Sequence, residues 1–133
     1  MLNGRFAMSI HILSLLSKEG GLSSEYIAAS MNVNPVMVRK ELVRLKKANL
    51  IETREGKNGG SYLARSPKAI SLADVYKAAY EEPLFRHSKN MPNPACPVGR
   101  RISEKMDELN DEAEAALLRK LAGISIEKFV NRA

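Results

Sequence analysis

The sequence has little of the chemistry on which secreted and membrane-spanning proteins depend. Its 133 residues include one cysteine and no tryptophan, and aromatic residues make up 5% of the chain. A single cysteine excludes an intramolecular disulfide framework, and no stretch approaches the roughly 20 apolar residues that span a bilayer. The apolar run at residues 6–16 is short and leads into charged residues, which is unlike a cleaved secretory signal. These absences predict a cytoplasmic protein that does not associate with a membrane.

Catalytic constellations are also missing from the sequence. The two histidines, His11 and His87, lie far apart, and neither has a chemical partner nearby. No paired carboxylates, Ser-His-Asp set or metal-ligand spacing is present, so an enzyme is disfavoured and no metal site is expected. The composition is that of a globular protein, with 44% hydrophobic and 27% charged residues. The length predicts one domain, or one small domain plus an accessory element.

The positive charge is concentrated in a short central part of the chain. Residues 35–68 contain nine lysines or arginines and three glutamates, which leaves +6, and the whole chain has a formal net charge of +6. The flanking segments are balanced, with two basic and two acidic residues before this stretch and ten of each after it. Binding to a polyanion concentrates charge in this way, because affinity comes from neutralised phosphates and released counterions. The stretch therefore predicts a phosphate-binding surface.

Residues 23–48 fit a helix-turn-helix pattern. Ala28 is small enough for the second helix to cross the first closely, Asn32 tolerates the left-handed conformation of the turn, and Val38 fills the angle between the helices. Asn34 is a good N-cap for the following helix, and Pro35 suits its first position. Helical hairpins of this periodicity are common, and most bind no nucleic acid, so the charge distribution is needed to support the interpretation.

The helix predicted at residues 35–48 has one apolar face and one mixed face. Val38, Leu42 and Leu45 share the core side. The opposite side carries two valines among basic residues, which is unusual for a solvated face but typical of a helix that enters a major groove. The residues on this opposite side are Val36, Arg39, Lys40, Val43 and Lys47, with Arg44 at its edge.

A basic hairpin follows the helix-turn-helix segment. Residues 50–54 alternate between apolar and polar and predict a strand, residues 55–60 form a glycine-rich tip, and residues 61–65 predict the returning strand. This hairpin has the position of the wing in a winged helix-turn-helix domain. Together with the helices it gives the candidate DNA-binding residues Arg5, Ser24, Asn34, Val36, Arg39, Lys40, Val43, Arg44, Lys47, Arg54, Lys57 and Asn58.

Four segments carry a resemblance to a known family. Residues 5–7, the helix pair, residues 58–65 of the wing and residues 70–76 (Ile-Ser-Leu-Ala-Asp-Val-Tyr) resemble the Rrf-two (Rrf2) family of bacterial winged-helix transcriptional regulators, which includes IscR, NsrR and CymR. Residues 93–99 are most similar to its YwnA-like branch. The fold class that follows is mainly α with a small β-hairpin, arranged as a winged helix-turn-helix domain plus a long helix. Residues 1–80 are expected to form the DNA-binding domain. Residues 81–133 are expected to form a loop, the long dimerisation helix and a short C-terminal helix.

The resemblance also implies a mode of action. Family members bind double-stranded DNA as homodimers on partly palindromic operators, so we expect a homodimeric regulator, and a repressor, with the third helix in the major groove and the wing at the adjacent minor groove. By position, the base-reading residues are Val36, Arg39 and Lys40, and the basic contact of the wing is Arg54. The alternative is a winged-helix interaction module that binds protein or RNA without operator specificity. Steep salt dependence together with a preferred sequence would distinguish the regulator.

Residues 97–121 form the longest predicted helix. Its apolar residues keep a near-heptad spacing over a length that a small winged domain cannot cover alone, which favours a dimerisation helix. The alternative is a helix folded back on its own domain. The predicted interface residues are Ile102, Met106, Leu109, Ala113, Ala116 and Leu117. A proline-rich loop at residues 82–97 precedes this helix, and Ser125 is expected to cap a last short helix.

Cys96 lies at the predicted start of the long helix. Cluster-binding members of the family use three cysteines here, whereas this chain has one, so we expect no iron-sulfur cluster and no other cofactor. The helix dipole and the nearby Arg100 and Arg101 favour a thiolate, which oxidants attack. Cys96 is therefore a candidate redox sensor, and a small buried hydrophobic role is the alternative. A small-molecule effector that binds between the wing domain and the long helix also stays open.

Overall fold

A computed structural model describes residues 4–80 and 93–131 of the chain. Within these residues the fold is mainly helical and contains one antiparallel hairpin, which confirms the predicted fold class. The elements are α1 (Arg5–Lys18), α2 (Ser24–Met31), α3 (Pro35–Lys47), β1 (Ile51–Arg54), β2 (Gly60–Leu63), a short 3-10 helix (Pro67–Ala69), α4 (Leu72–Ala79), α5 (Pro97–Ala122) and α6 (Ile126–Val130). The predicted loop spans residues 82–97. Its residues 82–92, which include His87, lie outside the described residues.

The first helix is the centre of the core. Ile12, Leu13 and Leu16 of α1 are buried, and the helix packs against α3, α4, α6 and the wing. Large aliphatic side chains from every neighbouring element meet these three, including Ile70 and Val75, which are fully buried. Each fully buried residue of this kind contributes roughly 1.5–3 kcal/mol relative to leaving it exposed. The core therefore fixes the position of α1, against which the helix-turn-helix packs.

The corner between α2 and α3 has the geometry that the sequence predicts. Asn32 follows α2 in the left-handed conformation, with φ 55° and ψ 45°. Ala28 and Val38 are buried on the two sides of the corner. The Asn34 side chain accepts a hydrogen bond of 2.9 Å from the backbone N–H of Val36, so α3 begins at a capped N-terminus. These short-range features hold α3 across α2 with its mixed face outward.

The wing is attached to the segment between α1 and α2. Ser61 in β2 accepts a hydrogen bond from the N–H of Gly21 and donates its own N–H to the carbonyl of Leu22, both at 2.9 Å. Gly60 makes this approach because it has a φ of +138° and its α-carbon lies against the backbone of Gly21. A side chain at Gly60 would start 2.5 Å from that backbone. The wing base is thus joined to the helical core on one side, and its tip projects freely.

The C-terminal elements return to the core. Ser71 caps α4 through a capping box with Asp74. The segment between α5 and α6 pairs with the chain just before α4, since Ile124 accepts a hydrogen bond from the N–H of Leu72 and Ile70 accepts one from the N–H of Ile126, each at 2.8 Å. The C-terminal end of α5 is therefore joined to the element that follows the wing. None of the helices in the described residues is long and apolar enough to cross a membrane.

Candidate nucleic-acid interface

The outer face of α3 presents apolar side chains between lysines. Val43 is 67% exposed and Val36 is 48% exposed, although valine is normally a core residue. Lys40 and Lys47 are exposed on the same face. The structure thus brings together four of the predicted contact residues as one outward stripe. Valine methyl groups suit the thymine methyls of a major groove, and the lysines suit phosphate or guanine.

Arg39 extends from this stripe toward α2. One of its terminal nitrogens lies 3.4 Å from the hydroxyl oxygen of Ser24 and 3.4 Å from a carboxylate oxygen of Glu25. Ser24 in turn donates a hydrogen bond of 3.3 Å to the other carboxylate oxygen of Glu25. The structure therefore joins two predicted contact residues, Arg39 and Ser24, through an acid that the sequence analysis did not single out. The arginine and the acid are both more than half exposed, so this pair contributes little stability but orients the guanidinium group.

On the other flank of α3, Arg44 and Arg5 meet around a buried acid. The Glu41 side chain accepts hydrogen bonds from Arg44 and, at 3.5 Å, from the hydroxyl of Ser9, and Arg5 lies 4.0 Å from it. Glu41 is 5% exposed. The sequence analysis counted Glu41 among the charges but did not place it in the core. Its spacing from Val38 and Leu45, three residues after one and four before the other, would have placed it on the core-facing side of α3.

The wing adds Arg54 to the basic residues on α1 and α3. Arg54 donates a hydrogen bond of 2.8 Å to Glu52, which raises the pKa of the guanidinium above its usual value. The same guanidinium lies 4.1 Å from the centre of the Tyr62 ring, and the Tyr62 hydroxyl donates a hydrogen bond of 2.6 Å to the carbonyl of Asn58. Lys57 and Asn58 are exposed at the tip. Tyr62 is not among the predicted contact residues, because its place beside Arg54 depends on the pairing of β1 with β2.

Comparison with known proteins decides the family. Residues 2–132 match the Rrf2 family, which is described as iron-dependent transcriptional regulators. The chain belongs to the Rrf2 family. It is 44% identical over 132 residues to YwnA of Bacillus subtilis (strain 168), an HTH-type transcriptional regulator by name, and the match covers 98% of each chain.

Solved structures agree with this assignment. The chain superposes on the crystal structure of a protein described as DNA-binding, with a TM-score of 0.79 and 39% identity over 96% of this chain and 99% of the other. CymR (YrzC), the global cysteine regulator of B. subtilis, shares the fold, with a TM-score of 0.70 and 21% identity over 98% of this chain and 95% of the other. The chain is therefore a DNA-binding transcriptional regulator of the Rrf2 family, and members of this family are not enzymes.

The described residues of this Rrf2 protein do not fit an iron centre. Stable iron-sulfur clusters need several thiolates, and the chain has one cysteine. Among residues 4–80 and 93–131, no group of three or more His, Cys, Asp or Glu side chains could hold a metal ion. The donor chemistry of these residues thus disagrees with the iron dependence in the family's description.

Cys96 occupies the N-cap position of α5, as the sequence predicts. Its sulfur accepts a hydrogen bond of 3.4 Å from the N–H of Gly99, and the residue is exposed. Among the described residues Cys96 is thus not buried, which disfavours the alternative of a small buried hydrophobic residue. Exposure gives an oxidant direct access to the sulfur, which a reactive thiol requires.

The long helix α5 has two different faces. Toward its C-terminal end, Leu121 is buried and Leu117 packs against the chain's own core. Ile102 and Leu109 lie on another face and are 44% and 47% exposed, and Val98 near the helix start is more exposed still. Met106 and Ala113 are half-buried and Ala116 is exposed. The C-terminal end of α5 thus folds back on the domain, whereas Ile102 and Leu109 on its outer face stay almost half exposed and do not join the core.

Proposed function

We propose that this protein is a homodimeric transcriptional repressor that binds a partly palindromic operator. The observation that carries the proposal is the exposed stripe of valines and lysines on α3, flanked by the arginine contacts and the wing. The valines of this stripe contribute less stability in the single chain than buried valines do, because about half or more of each side chain remains exposed. In a major groove the same stripe gains contact with thymine methyls, and the flanking cations gain phosphate contacts. Occupation of a promoter by such a dimer would block transcription.

Within this proposal the basic residues divide into two groups. Arg39 and Lys40 read base edges together with Val36, since they lie near the N-terminal end of α3, where recognition helices reach deepest. Lys47 and Arg44, farther along the helix, contact phosphates, as does Arg5. At the wing the arginine stacked on Tyr62 and the exposed tip residues enter the minor groove. Phosphate contacts fix the register of the protein, and base contacts determine the sequence that it prefers.

The outer stripe of α5 supports the homodimer. Two large apolar residues almost half exposed on one helix face, Ile102 and Leu109, are explained when the same face of a second copy covers them. A twofold dimer would then present two α3 helices to successive major grooves, which is why a palindromic operator follows. We accordingly propose that residues 1–80 bind DNA and that residues 81–133 provide the dimer contact.

We also propose that oxidation of Cys96 releases the operator. The exposed thiol would be oxidised by two electrons to a sulfenic acid while hydrogen peroxide is reduced to water. Because this sulfur accepts the capping hydrogen bond of α5, oxidation changes the start of the dimer helix. The C-terminal end of that helix is joined to the DNA-binding domain, so a shift of the helix would be transmitted there.

Selection of genomic fragments by the purified protein, with and without reductant, tests these proposals together. An enriched inverted repeat that disappears on oxidation is the expected result. An enriched repeat indifferent to oxidation would retain the regulator and direct the search to small-molecule effectors. Binding without a preferred sequence at low salt would contradict the operator and favour an interaction module.

A further inference from the structure

The most unusual group on the proposed DNA-binding surface is the buried carboxylate of Glu41. It belongs to the helix proposed to enter the groove, yet its side chain is only 6% exposed. One of its oxygens faces both Arg44 and Arg5, and the other accepts the hydrogen bond of Ser9. An acid buried in a protein is tolerated when it is paired and hydrogen-bonded, and Glu41 has both kinds of partner.

By its charge alone, Glu41 opposes DNA binding. A carboxylate beside the major-groove stripe removes one unit of positive charge from a surface that attracts a polyanion. In the proposed complex its position would also be close to the phosphates assigned to Arg44 and Arg5. Any favourable contribution of Glu41 to DNA binding must therefore act through the residues that it contacts.

Glu41 holds two guanidinium groups in one place. Arg5 is the first residue of α1 and Arg44 lies in the last turn of α3, so the chain separates them widely, and the same carboxylate oxygen brings them together. Both side chains are about 40% exposed, so a phosphate group in the solvent can approach both guanidinium groups. Arg44 is also the helical neighbour of Lys40 and Lys47 on the groove-facing stripe.

We propose that Glu41 is a positioning residue that holds Arg5 and Arg44 as a two-arginine clamp for a single phosphate of the DNA backbone. Two guanidinium groups that share one carboxylate oxygen are close enough to share one phosphate, which offers several acceptor oxygens. Without the carboxylate, the two cations repel each other and their long side chains sample many rotamers. This inference deepens the proposed function, on whose orientation of α3 it rests.

The substitution Glu41→Gln tests the proposal because charge counting and loss of the clamp predict opposite changes in DNA affinity. Glutamine is nearly isosteric but uncharged, so charge counting predicts tighter DNA binding, whereas loss of the clamp predicts weaker binding. We expect Kd to rise about fivefold or more on a duplex of mixed sequence, because a backbone contact is independent of sequence. The matched control is Glu55→Gln at the exposed wing tip, which removes one negative charge without a clamp and should bind up to about threefold more tightly. Tighter binding by Glu41→Gln would overturn the proposal.

A cycle with the arginines separates positioning from a general structural role. In the Arg5→Gln/Arg44→Gln background the clamp is already absent, so Glu41→Gln should no longer weaken binding and should strengthen it slightly. A structural defect would weaken binding in both backgrounds and would contradict the proposal. Thermal unfolding of each variant shows whether it is folded at the assay temperature.

The salt dependence of the arginine variants tests the clamp without altering Glu41, should Glu41→Gln fail to fold. For two arginines on one phosphate, Arg5→Gln/Arg44→Gln should reduce the slope of log K against log salt concentration by about one. A reduction of about two would mean two separate phosphates, and an unchanged slope would mean no phosphate contact. Either result overturns the clamp. Measured on mixed-sequence DNA, the slope does not depend on whether an operator is found, so failure of the clamp is distinguishable from failure of the proposed operator.

Discussion

At the scale of single residues, the arginines of this surface are held by acids before DNA arrives. Arg39 contacts Glu25, and Arg54 contacts Glu52. Such exposed pairs contribute roughly 0–1 kcal/mol to stability, so their main consequence is orientation. An arginine whose direction is already restricted loses less entropy when it binds, which favours the one geometry in which it meets a guanine edge.

Arg39→Ala should therefore affect sequence preference as well as affinity. If Arg39 makes the bidentate contact to guanine that we propose, the substitution removes it, and we expect a loss of about 1–3 kcal/mol on the best operator and relaxed specificity at one base position. Lys57→Ala, at the exposed wing tip, should weaken all sequences by a similar factor. Binding titrations on the operator and on a set of single-base variants measure both effects. Equal losses for Arg39→Ala on every sequence would show that it contacts only phosphate.

Gly60 is a residue at which the wing cannot accommodate a side chain without strain. Gly60→Ala combines a φ of +138°, which L residues rarely adopt, with a β-carbon 2.5 Å from the Gly21 backbone. We expect the free energy of unfolding to fall by about 2 kcal/mol or more, from strain and overpacking together. Gly56→Ala is the matched control, because Gly56 also has a positive φ, +95°, but open space around it.

Urea unfolding of the two variants separates these two causes. A loss for Gly56→Ala of about 1 kcal/mol, and a clearly larger one for Gly60→Ala, would attribute the difference to the close approach of the wing to Gly21. Equal losses would mean that the wing base moves away from the core at little cost.

At the scale of elements, the parts of the fold that depend on near neighbours could be predicted from the sequence. The caps at Asn34 and Ser125 and the left-handed Asn32 are fixed by residues within a few positions, and all three have the expected geometry. The wing strands are also present, but β1 begins one residue later than predicted, and β2 begins one residue earlier and ends two residues earlier.

What the sequence did not show are contacts between elements. Glu41 reaches Ser9 and Arg5 on α1, and Arg39 reaches Glu25 on α2, because of the angles at which these helices cross. A count of charged residues treats Glu41 as solvent-exposed, because such a count contains no information on side-chain burial or on contacts with α1. The candidate site was thus predictable as a set of side chains but not as an arrangement of ion pairs.

At the scale of elements, the outer face of α5 is predicted to be the contact between two copies of the chain. Leu109→Glu should dissociate the dimer, because the buried interface would then contain a charge without a partner. The control is Ala115→Glu, which adds the same charge to α5 at an exposed position away from the apolar stripe. Size-exclusion chromatography with light scattering gives the molar mass, and operator titrations give the affinity. We expect Leu109→Glu to be monomeric and to bind the operator weakly, and Ala115→Glu to remain dimeric.

A Leu109→Glu protein that stays dimeric would show that α5 is not the contact between copies. Because Leu109 is almost half exposed in the single chain, the substitution should leave the fold of the monomer intact. Circular dichroism of the variant checks this expectation, since unfolding would otherwise imitate dissociation.

At the scale of the whole molecule, α5 and the hydrogen bonds at its C-terminal end connect Cys96 to the domain that carries the DNA-binding surface. The thiol caps the start of α5, the end of α5 is buried in the core, and the segment after it pairs with Ile70 and Leu72, which follow the wing. The connection consists of a continuous helix and backbone hydrogen bonds. We propose that a change at the helix start is transmitted through this connection to the part of the chain that carries α3 and the wing.

Cys96→Ser tests whether the molecule uses this connection to sense oxidants. Serine is a better N-cap than cysteine, so the variant should keep α5 intact and bind the operator as the unmodified protein does under reducing conditions. Hydrogen peroxide should weaken operator binding by the unmodified protein, and a thiol reductant should restore it, whereas Cys96→Ser should be insensitive to both. Intact-protein mass spectrometry before and after treatment identifies the oxidised species. Equal release of DNA by both proteins would place the response elsewhere in the chain, and an oxidised thiol with undiminished binding would show that the connection carries no signal.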